Sequence, residues 1–293
     1  MTTCPYCSCS PGVFLRTFQI LGSEQLKLWR CERCSSEFLD PQPSDEWLAK
    51  EYSGYFSMRR ANASNPKTLL CQLVMSKLGE LPPNPTVLEI GGGEGFFVGE
   101  LLKARPDARI SLVEPQADPS LFPADKVEVH KMLIEEWLEK TPPQQYDVIV
   151  AMDLIEHLRD PSSVMKRISE ERLKLGGTLV ITTPDAGSLF RRALGRFWPH
   201  YKVEHLTYPS TGALEKLACH VGLDVVEMKP LAKPLQIGYL IAVLRNFGPL
   251  ATRWLGRISE CVIPDCMRAY HVRLPSGELL FVGRKSERAL SAE

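Results

Sequence analysis

Two cysteine pairs near the N-terminus form the densest chemical pattern in the sequence: Cys4-Pro5-Tyr6-Cys7 and Cys31-Glu32-Arg33-Cys34. Each Cys-x-x-Cys turn presents two thiolates, and two such turns can close a tetrahedral shell around one zinc ion. Four thiolates fill that shell, so a metal held this way is structural and has no open position for a substrate. A redox disulfide is the other chemistry open to such pairs. Cys9 stands beside them with no assigned role, and Cys71, Cys219, Cys261 and Cys266 are expected as buried core thiols.

The second pattern is Val87-Leu88-Glu89-Ile90-Gly91-Gly92-Gly93-Glu94-Gly95-Phe96-Phe97. An apolar run enters glycines at alternate positions, Gly91, Gly93 and Gly95, and a helical pattern follows. Glycine lets the backbone turn tightly and approach a ligand closely. The next apolar run ends in Val113-Glu114, where a carboxylate can accept hydrogen bonds from two ribose hydroxyls. A dinucleotide fingerprint would need a glycine where Phe96 stands, which weighs against a nicotinamide cofactor.

Such groups need a scaffold, and the pattern from Thr86 onward supplies one. Candidate strands at Thr86–Ile90, Arg109–Glu114, Val127–His130, Tyr146–Ala151, Thr178–Thr182, Asp224–Met228 and Glu278–Gly283 alternate with helical stretches such as Phe96–Ala104, Ser162–Leu173 and Ser210–Val221. The alternation predicts an α/β fold, a Rossmann-like seven-stranded, mostly parallel sheet with helices on both faces. Three segments are expected: a zinc ribbon over 1–43, a helical linker or lid over 44–83, and the α/β core over 84–293 with a helical insertion at about 230–272. Composition fits an ordinary soluble protein, 44% hydrophobic and 24% charged. The 35 basic and 35 acidic residues cancel, which argues against a polyanionic partner such as nucleic acid. No apolar run is long enough to span a bilayer and the N-terminus does not read as a signal peptide, so the expected location is cytoplasmic.

The glycine stretch resembles the Glu-x-Gly-x-Gly-x-Gly loop of class I S-adenosylmethionine-dependent methyltransferases. Three further stretches match that family in order. Tyr146–Leu158 is similar to its fourth strand and following loop, and Leu175–Ile181 to the turn into its fifth strand. Glu204-His205-Leu206, with Pro209, Leu214, Ala218 and Gly222, is similar to a pattern of a broad subfamily acting on small molecules. The resemblance implies S-adenosylmethionine as cofactor, with Glu89, Gly91, Gly93 and Gly95 beneath its methionine part and Glu114 on its ribose. Asp153 would lie near the pocket, and Met132 and Leu133 would pack on the adenine. The ribbon followed by this core also resembles the front of sugar-nucleotide C-methyltransferases, although Lys202 stands where that family has a tyrosine.

A sulfonium methyl group is already activated, so the protein must align the acceptor and, for a hydroxyl or carbon acid, take up a proton. Among the six histidines, His205 is the first candidate base, Glu204 a candidate orienting group and His157 the second base. Asp153 and Glu156 also suit a helix start. The expected acceptor is a small molecule, methylated on oxygen or carbon: a sugar, lipid precursor, quinone or secondary metabolite. The competing readings are a zinc-ribbon RNA methyltransferase and a non-catalytic binding module. Tyr52, Tyr55 and Phe56 are either lid residues or a packed aromatic cluster. The apolar and arginine-bearing stretch 236–263 could pack on the sheet, cover the substrate, form a homodimer face or touch a membrane surface.

Overall fold

The chain is described by a computed structural model over residues 3–9, 12–19, 25–50, 66–202, 204–247 and 250–286. Tyr52, Tyr55 and Phe56 lie outside the described residues. The two cysteine turns flank a small antiparallel sheet, in which β1 (Gly12–Gln19) pairs with β2 (Gln25–Cys31) and β2 with β3 (Glu37–Leu39). Of the expected linker, residues 45–50 form a helix, α1, and Pro66–Met75 form α2, which packs against the main core.

That core is built on seven strands. The parallel set comprises β4 (Thr86–Ile90), β5 (Arg109–Val113), β6 (Val127–His130), β7 (Tyr146–Met152) and β8 (Leu173–Pro184). The two-residue β9 (Thr207–Tyr208) leaves this sheet, and β10 (Leu223–Gln236) and β11 (His271–Lys285) complete it. The spatial order is β10-β11-β8-β7-β4-β5-β6, with β11 antiparallel to both neighbours. Chain direction across the sheet reverses between β4 and β7, and in open α/β sheets ligands bind outside the strand ends at such a switch point.

The sequence explains why these strands are central. Val148, Ile149, Val150 and Ala151 are almost fully buried, as expected for strands covered on both faces. Side chains alternate between the two faces. Leu88, Ile149 and Leu179 enter one core with α4 (Ile134–Lys140), α5 (Pro161–Arg167) and α7 (Thr211–His220). Val87, Val148 and Val180 enter the other with α2 and α3 (Phe96–Ala104). Helix starts follow local chemistry: Asp160 caps α5 through Ser163 N, with Pro161 at its first position, and Ser210 caps α7 through Ala213 N. The short α6 (Leu189–Leu194) sits in the long connection from β8 to β9.

Three expectations change in detail. β8 begins at Leu173 rather than Thr178, because Leu173 pairs with Tyr146 before an irregularity that ends at the Val148–Thr178 pair. The helical insertion is narrower than 230–272. Residues 230–236 stay in β10, since its ladder with β11 continues to the Gln236–His271 pair, and the helices are α8 (Ile237–Phe247), α9 (Leu250–Val262) and α10 (Asp265–Arg268). Cys71 is buried, whereas Cys219 and Cys266 are exposed. Cys219 misses the core because α7 buries Ala213, Leu214, Leu217 and Ala218, and helical spacing turns position 219 outward. Cys261 has no described side chain.

The cysteine segment is not a separate body. β3 pairs with β9, so its sheet runs β1-β2-β3-β9 and takes its fourth strand from the core. Tyr6 Oη lies 2.8 Å from Thr207 Oγ1, Leu39 N donates to Leu206 O at 2.9 Å, and Ser210 Oγ donates to Cys34 O. Glu37 is fully buried at this junction, where it accepts from Arg30 of β2, from Arg191 of α6 and from Tyr201 Oη at 2.5 Å.

Candidate functional site

The glycine loop leaves β4 at the switch point. Gly91, Gly93 and Gly95 all have positive φ, the left-handed region that glycine enters without a steric penalty. Gly91 N donates to Val113 O and Gly95 N to Gly92 O, which fixes the turn. Glu114 is buried, and its carboxylate accepts from Gly93 N at 3.1 Å and Gln116 N at 3.0 Å. Beneath the loop lies Glu89, 1% exposed, with neither oxygen hydrogen-bonded. Burial raises its pKa to about 8. A side chain added at Gly93 would meet nothing within 4 Å, so its backbone faces open space. At Gly95 an added carbon would strike Phe122, whose ring covers that end of the loop.

These features fit S-adenosylmethionine. An orphaned acid suits the methionine ammonium, exposed loop backbone allows close approach, and the Glu114 carboxylate is held in place at the end of β5. Met132 is half-buried and Leu133 is 56% exposed at the start of α4, just beyond β6, an apolar step for an adenine ring. A carbon added at Gly91 would lie 3.0 Å from Leu154, so the loop abuts the turn that follows β7.

That turn carries the histidine cluster. Glu156 is buried, Thr183 Oγ1 donates to it at 2.9 Å, and burial followed by the charge of Asp153 raises its pKa to about 8. The rings of His157 and His205 meet edge to face, 4.8 Å between centroids. His157 Nδ1 lies 3.0 Å from Glu204 O, and a carbonyl can only accept, so Nδ1 carries the proton and Nε2 is the basic nitrogen. Glu204 therefore orients His157 through its main chain. His205 is 5% exposed, its Nδ1 has no hydrogen-bond partner, and burial, reinforced by His157, pulls its pKa well below the usual value. It is a neutral imidazole at neutral pH. One ligand atom from each of Glu156, His157 and His205 falls within 4.8 Å of the others, close enough for all three to hold one cation.

Asp153, at φ +51°, starts the same turn. Lys233 of β10 pairs with Asp153 at 2.7 Å and with Glu278 of β11 at 2.8 Å, and Glu278 lies 3.3 Å from His200. Burial raises the Asp153 carboxyl, but the charge and hydrogen bond of Lys233, the hydrogen bond from Thr182 and the charge of His200 together outweigh it and the net shift is downward. Glu278 rises to about 7 because burial exceeds the opposing pull of Lys233. Lys233, Glu278 and Phe122 border these groups and Glu37 braces the junction with the cysteine segment, and sequence reasoning singled out none of them. Nothing local marks Glu37 or Glu278 as buried, whereas Lys233 carries one faint signal, a lysine inside an apolar strand-like run.

The four cysteines converge as their spacing implies. Cys4, Cys7, Cys31 and Cys34 place their sulfurs within 4.8 Å of one another, with Cys4–Cys34 at 3.5 Å and Cys7–Cys31 at 3.6 Å. The hydrogen bond with Cys34 brings the Cys4 thiol down to about 5, so one thiolate forms readily. Four sulfurs at such separations fit a tetrahedral zinc ion with all positions filled.

Residues 60–228 match a family model described as a methyltransferase domain. Among curated proteins, the ubiquinone biosynthesis O-methyltransferases of Aeromonas salmonicida and Serratia proteamaculans are 30% and 32% identical over 104 residues. Those matches cover 33% of this chain and 42% of each relative, less than half of their length. Among solved structures, a SAM dependent methyltransferase from Archaeoglobus fulgidus superposes with a TM-score of 0.51 at 16% identity, covering 79% of this chain and 99% of that one. The YcgJ protein from Bacillus subtilis gives 0.50 at 16% identity over 74% and 98%. These structural likenesses bear on the fold.

Proposed function

Because this chain belongs to a family described as a methyltransferase domain, we propose that it is an S-adenosylmethionine-dependent methyltransferase and that it methylates an oxygen or carbon of a small molecule held over the turn after β7. When bound, S-adenosylmethionine supplies an activated methyl group. In this reading Glu89 receives the cofactor's ammonium, Glu114 its ribose, and Met132 and Leu133 its adenine. Gly91, Gly93 and Gly95 let the backbone lie against it. Asp153, tethered by Lys233 and Thr182, borders the acceptor side. His205 takes the acceptor's proton on a ring nitrogen. His157, oriented by the Glu204 carbonyl, polarises the same acceptor or accepts the proton in its place. Cys4, Cys7, Cys31 and Cys34 hold a structural zinc ion. The class of acceptor follows the curated relatives, whose matched stretch acts in a small-molecule O-methyltransferase.

The observation that carries this reading is the buried, neutral His205 with an unpartnered Nδ1, its ring packed on His157 in the turn that the glycine loop abuts. The test begins with cofactor labelled on its methyl group, incubated with small-molecule, RNA and protein fractions of a cell extract, and mass spectrometry of each. Label in a small molecule is expected, and label confined to RNA would favour a nucleic-acid methyltransferase instead. With that acceptor, His205→Ala should lower turnover ~10²–10⁴-fold, the usual contribution of a general base, while cofactor affinity stays near the parent's. Turnover at the parent rate would make His205 a packing residue and move the role to His157.

A further inference from the structure

We propose that α9 is a docking surface for an anionic lipid bilayer and lies along the bilayer plane. The helix projects from the end of the β10–β11 hairpin, beyond the sheet. One side faces α8: a carbon added at Gly256 would come within 2.6 Å of the Arg245 backbone, and Arg245 pairs with Glu260 at 2.8 Å. The other side carries Trp254, Leu255, Ile258 and Val262, each more than half exposed, Trp254 at 66% and Val262 at 72%. At helical spacing these four occupy a single arc about 100° wide, broad enough for a buried face. They face away from the protein, and Met267 and Tyr270, on the chain segment that follows, are also exposed.

The charge pattern selects the occupant. The whole chain is neutral, yet residues 237–270 hold Arg245, Arg253, Arg257 and Arg268 against Glu260 and Asp265 alone; Arg245 pairs with Glu260 and Arg268 with Asp265, which leaves the segment net positive through Arg253 and Arg257. Arg257 is exposed along α9. A second copy meeting this face across a twofold axis would bring two such net-positive segments, each with an exposed Arg257, against one another. Anionic headgroups complement that charge while the acyl boundary takes up the apolar arc. Tryptophan and arginine both suit the boundary between headgroups and hydrocarbon.

The experiment uses the full chain and vesicles of phosphatidylcholine, pure or with about one-third phosphatidylglycerol. The parent should co-sediment with the anionic vesicles, weakly with the neutral ones, and less as salt rises. Replacing Trp254 and Ile258 together by Gln should lower the partition coefficient about tenfold or more, with the thermal unfolding curve unchanged because both side chains are exposed. Arg257→Glu should weaken binding to anionic vesicles alone. As a check with minimal effect on folding, vesicles should blue-shift the parent's tryptophan emission, and Trp254→Phe should lose that shift while still binding. The proposal is overturned if the parent does not bind, if Trp254→Phe keeps the shift, or if the Gln pair binds like the parent. Self-association in sedimentation velocity that the Gln pair abolishes, with vesicle binding unaltered, would assign the face to a second copy and overturn it too.

Discussion

Replacing Glu37 by Ala should loosen the junction between the cysteine segment and the core. Glu37 is 0% exposed, and its carboxylate gathers Arg30, Arg191 and Tyr201. Removing one partner of a buried charge network typically costs ~3–5 kcal/mol, because the remaining charge is left uncompensated. Arg30 is 36% exposed and can turn toward water, whereas Arg191 is 14% exposed and cannot readily do so. The penalty therefore falls mainly on Arg191 and Tyr201, which points to the lower end, ~3–4 kcal/mol. At ~2–4 °C per kcal/mol, the midpoint should fall by roughly 6–16 °C. Tyr201→Phe, which removes the hydrogen bond donated to Glu37 and the one accepted from Arg191 Nε, should cost at least the ~1.5–3 kcal/mol of one hydrogen bond to a charged group, and the double variant should lose less than the sum of the two. Thermal unfolding followed by circular dichroism, with zinc held in excess, measures all three. A Glu37→Ala protein that melts within about 1 °C of the parent would refute the claim that this network holds the junction.

Three other outcomes follow from the site. Elemental analysis of metal-replete protein should give close to one zinc per chain, and Cys31→Ser should lower both zinc content and the melting midpoint; free thiols with no metal would rule the zinc site out. Glu114→Ala should weaken S-adenosylmethionine binding by ~1.5–3 kcal/mol in calorimetry, since it removes charged hydrogen bonds, and an unchanged Kd in folded protein would dismiss the ribose role. The raised pKa of Glu89, about 8, has a definite sign. Its contribution is fully present below the unfolded carboxyl value near 4.3 and is lost as pH rises toward 8, because the buried group stays protonated while the unfolded one ionises. Cofactor-free Glu89→Gln should therefore gain on the parent, by a few kcal/mol, across that interval in urea unfolding; parallel pH profiles for the two proteins would contradict it.

The legible parts of the protein were those written in local order. Val87–Phe97 combines a strand, three spaced glycines and a helix start within one stretch, so β4, the loop and α3 could be read directly. The cysteine turns announce themselves by spacing for the same reason. The helical reading of residues 162–173 spans α5 and the wider helical turn of 168–172 that follows it, and ends where β8 begins at Leu173. Other features depend on contacts between distant stretches. Lys233 meets Asp153 only because the β10–β11 hairpin overshoots β8, and Glu37 is buried only because α6 and Tyr201 fold over it. No periodicity records such encounters. β9, only two residues long, has no strand signature of its own and exists because β3 needs a partner.

That last pairing also orders events during synthesis. The cysteine segment leaves the ribosome before the α/β core, yet its sheet waits for Thr207 and Tyr208, which emerge after most of the α/β sheet has been made. N-terminal units generally fold first as a chain is synthesised, at about 5–20 residues per second. Here the earlier-made unit can gather its thiols early but closes its sheet late, when β8 and the chain after it have arrived. Until then β3 presents an open edge, the kind of edge along which strands of other chains add. A ribosome-bound chain halted before residue 207 should therefore leave this segment sensitive to protease, and one halted well after 208 should protect it.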